Sequence, residues 1–124
     1  MDQSSLSFAS PAALDAHEAF AQTLARQHAF THARAVLESV VAARRCQQGS
    51  AHRDTLRCSY RLALLCAGAG ELGNARRLLE RILRACARQA TCDAAARLAA
   101  RTALAEVLAT QDDMAGLKHL NNSP

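Results

Sequence analysis

The sequence predicts an all-α chain of stacked helical hairpins. Ala and Leu supply most of its apolar half, its two prolines lie near the ends, and one stretch of it recurs 42 residues later. Ala and Leu lose little side-chain freedom in a helix, whereas an interior Pro removes a helical hydrogen bond and clashes with the preceding turn. The recurrence pairs "ARAVLESVVAAR", from Ala33, with "ARRLLERILRAC", from Ala75; five of twelve positions are identical and three exchange one branched aliphatic residue for another. A chain of 124 residues is long enough for one domain that buries about two thirds of its unfolded surface.

Each element follows from local signals. Residues 1–10 are expected to be a flexible N-terminus, which leaves an export signal or simple disorder open. Ser10 before Pro11 reads as an N-cap and first helical residue, opening a helix over 11–28. A second helix is predicted over 31–47, followed by the linker "CQQGSAH". The third, over 53–68, carries Leu56, Leu62, Ala63, Cys66 and Ala67 at helical spacing. Gly68, Gly70 and Gly73 in "AGAGELGN" then permit a turn. The fourth helix, 72–89, repeats the apolar spacing with Ala75, Leu78, Leu79, Ile82, Leu83 and Cys86. Thr91 and Asp93 supply capping groups for a fifth over 92–110, and Asp112 and Asp113 for a short one over 113–120. Met114, Leu117 and Leu120 give that last helix an apolar side fit to cap the array, before a tail at 121–124.

The 42-residue offset extends beyond the two quoted stretches. Leu56 pairs with Leu98, Leu62 with Leu104 and Ala63 with Ala105; upstream, Ala21 pairs with Ala63, Ala25 with Ala67 and Phe30 with Leu72. A fixed period of this length marks stacked supersecondary units, here about two and a half helical hairpins filling residues 11–120.

Gly49, His52, Asp54, Thr55, Leu62, Ala63, Gly70, Ala75, Leu78, Arg81 and Leu83 together resemble the 42-residue tetratricopeptide repeat (TPR) of the kinesin-light-chain type. The likeness is good over 49–83, partial over 17–48 and fades over 91–120, where "TCDAAAR" replaces the family's histidine-proline turn. Arg53 stands where the family has Pro, Cys66 where it has Tyr, and Arg61 where it often has Asn. The resemblance implies a right-handed α-solenoid whose first helices line a concave groove and whose second helices form the back. It also implies that His52 shapes the turn before the third helix, and that the array binds peptides or protein surfaces.

Chemistry-bearing motifs are missing. The sequence has no G-x-S-x-G elbow, phosphate-binding glycine loop or H-E-x-x-H, so an enzyme is not expected. His17, His28, His32, His52 and His119 are too scattered for a zinc site, and neither metal nor cofactor is expected. Cys46, Cys58, Cys66, Cys86 and Cys92 are odd in number and form no CxxC, which points to a reduced, cytoplasmic chain. Cys58 and Cys66 fit as small core residues; Cys86 and Cys92 could approach across a turn. No apolar run is long enough to span a membrane, and the N-terminus lacks a Sec-type pattern.

The charge is more informative. Fourteen of the fifteen basic residues are Arg, and the net charge is +4. Arg57 and Arg61 lie one turn apart on the third helix, and Arg97 and Arg101 repeat that spacing on the fifth. Facing inward, these pairs would make a basic groove for carboxylates, with Tyr60 adding a flat apolar contact. Arg76, Arg77, Arg84 and Arg88 fall on the helix expected at the back. The expected function is therefore a small adaptor, dedicated chaperone or immunity-type protein that holds an acidic or amphipathic segment of a partner. Nucleic-acid binding is the alternative, opposed by the lack of aromatics and of a clustered basic run. A homodimer through a solenoid end is also open.

Overall fold

The structure, a computed structural model, describes residues 10–89 and 93–111. The N-terminal residues 1–9, Thr91, Cys92, the Asp112–Asp113 pair, the short helix expected at 113–120 and the tail lie outside the described residues. Among the described residues five helices form: α1 (Pro11–Arg26), α2 (Phe30–Gln48), α3 (Arg53–Gly68), α4 (Leu72–Ala87) and α5 (Ala94–Thr110). The chain is all-α, as the composition predicts. None of these helices is long and apolar enough to cross a membrane.

Capping explains where the helices begin. Ser10 Oγ accepts the Ala13 N–H at 3.2 Å, with Pro11 at the first helical position. His52 Nδ1 accepts the Asp54 N–H at 3.1 Å, so this residue does shape the entry to α3. Asp93 Oδ1 accepts the Ala95 N–H at 3.0 Å, which starts α5 after Asp93 rather than at residue 92.

The two hairpin turns are copies of one another, 42 residues apart. In the first, Ala29 N–H donates to Leu24 O and His28 N–H to Ala25 O. In the second, Glu71 N–H donates to Cys66 O and Gly70 N–H to Ala67 O. This is the Schellman arrangement, in which one residue turns left-handed to reach the orphaned carbonyls at a helix end. Gly70 holds that place at φ 85° and His28 at φ 62°. The helix expected to reach residue 28 thus stops at Arg26, because His28 has left helical geometry.

Each helix packs on its chain neighbour, and α3 also meets α5. One apolar cluster joins all five, including Ala21 and Leu24 of α1, Leu37 and Val40 of α2, Leu62 of α3, Leu79 of α4 and Leu104 of α5. The repeat is visible in the packing: Ala21 and Ala63, and Ala33 and Ala75, are the fully buried small residues that let helices approach closely. Burying each large aliphatic side chain in this core contributes about 1.5–3 kcal/mol. Cys58 and Cys66 are buried free thiols, as expected of small core residues, and Cys46 is an exposed one. Burial, followed by the charge of Glu18, pushes the Cys58 thiol up to about 11. Cys86 departs from the reduced expectation, since its buried sulfur is disulfide-bonded.

Candidate functional site

Two clusters of arginine stand on this scaffold, and they differ in what neutralises them. The first surrounds Glu18 of α1, which is 2 % exposed although charged. Glu18 lies four residues after Leu14 and three before Ala21, on the buried stripe of α1. A carboxylate there is costly unless paired. Arg44 of α2, wholly buried, reaches Glu18 Oε1 at 3.5 Å and Asp15 Oδ1 at 2.6 Å. From α3, Arg57 Nε donates to Glu18 Oε2 at 3.4 Å, and Arg61 Nη1 donates to the same carboxylate. Arg57 also pairs with Asp54 at 3.0 Å, while Arg44 approaches Asp54 at 3.6 Å.

Burial raises the Asp54 carboxyl, but Arg57, the Gln48 amide and Arg44 together hold it below its ordinary value. Burial works against the Arg57 charge, yet the Glu18 hydrogen bond and the carboxylates around it raise that guanidinium's affinity for its proton. Three carboxylates thus meet three guanidiniums where α1, α2 and α3 converge.

Of the five residues expected to bind a partner, Arg57 and Arg61 belong to this cluster and spend their charge on Glu18. Tyr60 is partly buried and packs against the core. Arg97 donates to the Cys86 carbonyl at 3.4 Å, tying α5 to the end of α4. Arg101 is half-buried on α5. The structure therefore gathers Arg57 with Arg61, and sets Arg97 and Arg101 on a different helix.

The second arginine cluster is open. A groove of about 380 Å³ lies between α2 and α4, with Leu62 and Cys66 of α3 beneath. Val41 and Leu78 add apolar walls, and Arg45, Arg77 and Arg81 stand around it as exposed side chains. Arg77 donates to the neutral Asn74 Oδ1. Among the described residues, neither Arg45 nor Arg81 has a carboxylate within ion-pair distance. Glu38 is the acid in the lining, and Arg34 already meets it at 3.7 Å. Arg34 also pairs with Glu71, the Glu71 hydrogen bond raising its guanidinium further. This ion pair links the start of α2 to the turn before α4. The groove is thus apolar below and cationic around its edge.

Sequence reasoning assigned Arg77 to the back of the array, named Arg81 only among the residues of the repeat, and passed over Arg45. Their signal was present: Arg77 and Arg81 flank Leu78 at i, i+4, and Arg45 lies four residues after Val41. Glu18 was missed as well, though an acid on an apolar stripe is legible as a position demanding a buried cation. No protein-family model matches this chain, and no curated protein matches it significantly.

Proposed function

We propose that this protein is a non-enzymatic protein-interaction module that holds an acidic, amphipathic segment of a partner protein in the groove between α2 and α4. The observation that supports this reading most is the pairing of an apolar floor, Val41, Leu62 and Leu78, with Arg45 and Arg81, which meet no carboxylate among the described residues, and the adjacent Arg77. An amphipathic helix needs both features, a surface for its apolar face and cations for the carboxylates beside it. Guanidinium groups suit this role because they bind carboxylates in a two-point fork. Arg57 and Arg61 serve in this reading as internal ties, while Tyr60, Arg97 and Arg101 remain outside the groove. The TPR-like period favours a dedicated adaptor, chaperone or immunity-type protein. We place its work in the cytoplasm, in keeping with the free thiols of Cys46, Cys58 and Cys66 and against the disulfide at Cys86.

The test is retention of a stoichiometric partner from host lysate by the immobilised protein, at low and at high salt. Wild type should retain one protein in a salt-sensitive manner. Arg77→Glu, alone and with Arg81→Glu, should release it while the circular dichroism spectrum stays helical. Retention unaffected by both charge reversals would sink the groove reading.

Self-association is a second reading, supported by Phe20 on the first helix and Leu98 on the last, 48 % and 67 % exposed. A monomer mass by light scattering across micromolar concentrations would dispose of it.

A further inference from the structure

A smaller cleft lies beside the groove and shares Arg45, Leu78 and Arg81 with it. It is lined further by Ser50, Thr55, Ser59, Ile82 and Ala85, and holds about 20 Å³, room for one water-sized atom. Three hydroxyl side chains, from the α2–α3 linker and from α3, therefore meet two guanidiniums, one from α2 and one from α4. Among the described residues, no carboxylate lines the cleft.

Thr55 is the telling member. It is 2 % exposed, and its Oγ1 has no hydrogen-bond partner among the described residues. A helical Thr can ordinarily turn its hydroxyl onto a carbonyl of the preceding turn, as Thr23, Thr102 and Thr110 do here. A buried hydroxyl without a partner destabilises the fold unless something supplies the missing bond.

We propose that this cleft is a subsite for a phosphoryl oxyanion, the dianion of a phosphomonoester or of free phosphate. One terminal oxygen enters the cleft and accepts from the Thr55 hydroxyl, with Ser59 and Ser50 beside it. The remaining oxygens stay outside, where Arg45 and Arg81 bind them. The stoichiometry favours a phosphoryl group over a carboxylate. Two guanidiniums match a charge near −2, and the hydroxyls together with the Arg forks exceed what two carboxylate oxygens can accept. The narrowness of the cleft fits too, because it admits one oxygen while excluding a larger apolar group. The subsite does not require a peptide in the groove, although a phosphorylated side chain on such a peptide would reach it.

The test is an NMR titration of the full chain with inorganic phosphate and with O-phospho-L-serine at constant ionic strength, against acetate and chloride. Saturable shifts at the Ser50, Thr55 and Ser59 amides are expected with the phosphoryl probes and not with the controls. Thr55→Val keeps the side-chain shape and removes the hydroxyl. It should raise the melting temperature of the unliganded protein and weaken phosphoryl binding about tenfold. Arg45→Gln with Arg81→Gln should abolish binding, and Arg26→Gln, exposed at the end of α1 and outside both cleft and groove, should preserve it. Tighter binding of O-phospho-L-serine than of phosphate identifies a phosphorylated side chain as the source, and the reverse identifies free phosphate. Phosphate shifts no larger than those of acetate and chloride, or undiminished binding by Thr55→Val, would overturn the proposal.

Discussion

The two hairpins, α1–α2 and α3–α4, share a period, a turn and a pattern of buried alanines, yet they are joined by different chemistry. The offset of 42 residues that pairs Ala21 with Ala63 also pairs Glu18 with Tyr60 and Arg44 with Cys86. In the first hairpin these positions hold a buried carboxylate and a buried guanidinium. In the second they hold a partly buried aromatic and a buried sulfur. Equivalent backbone positions thus carry a buried charge pair in one hairpin and, in the other, an aromatic ring and a disulfide-bonded sulfur that join the core. The charged version gains orientation, because Glu18 can bind Arg44, Arg57 and Arg61 only when three helices lie in one arrangement. The apolar version is less directional and joins the continuous core.

A second contrast separates the middle of the array from its last helix. Leu56 and Leu98 occupy equivalent positions on α3 and α5, but one is 2 % exposed and the other 67 %. On α1, Phe20 is half-exposed while its counterpart on α3, Leu62, is buried. Burial at these sites is decided by the neighbouring helices, as a stack of units predicts.

The comparison can be broken most forcefully at Glu18. Glu18→Ala removes the buried carboxylate that Arg44, Arg57 and Arg61 share and should cost about 3 kcal/mol, since Arg44 keeps Asp15. Installing the second hairpin's pair, Glu18→Tyr with Arg44→Cys, should recover much of that loss. Urea unfolding followed by circular dichroism measures both, and a double variant as unstable as the single one would show that the hairpins are not interchangeable.

The contrast between Leu56 and Leu98 comes next. Leu56→Ala should cost about 2–4 kcal/mol through lost burial and a residual cavity. Leu98→Ala should change stability by no more than about 0.5 kcal/mol in the monomer. Equal losses at the two positions would mean that something covers Leu98 in solution.

The turns sharpen the comparison on a finer scale. His28→Gly replaces a side chain in the left-handed region with the residue its counterpart Gly70 already provides. It should stabilise the fold by about 1 kcal/mol, less the weak ring contact between His28 and Phe30. Gly70→Ala should cost a similar amount, about 1 kcal/mol. A higher melting temperature for the first variant and a lower one for the second would confirm that the turns are equivalent.

The smallest effect is confined to acid. The folded protein holds Asp54 below its ordinary value of 3.8, so this group stabilises the fold at neutral pH. That contribution is fully present above the unfolded value and is lost as pH falls through the lower folded one. Asp54→Asn should therefore flatten the loss of stability below about pH 4. A titration limb unchanged by the substitution would assign acid sensitivity to other carboxylates.

Much of the fold was legible in the sequence. The repeat, the helix start at Ser10, the glycine turn around Gly70 and the burial of Cys58 and Cys66 all rest on local preference or helical spacing, while the role of His52 at the start of α3 came from the family resemblance. The His28 turn was less legible, because a histidine in a left-handed position carries no composition signal; only its offset from Gly70 marks it. The arginines were visible as a class but not as individuals. Spacing could place Arg57 and Arg61 on one face of α3, yet nothing in their own helix revealed that Glu18, about forty residues earlier, would meet them.

What the sequence determined by itself is the all-α class, the 42-residue period and the order of the helices, since these depend on side-chain entropy, capping groups and apolar spacing within a few turns. What only the tertiary structure decided is which arginines carry usable charge. Arg57 and Arg61 lie against Glu18 and answer to it, while Arg45 and Arg81 come together from α2 and α4 above hydroxyls of the linker and α3. Electrostatic pairing depends on distances across helices rather than along them, and those distances exist only once the hairpins have stacked.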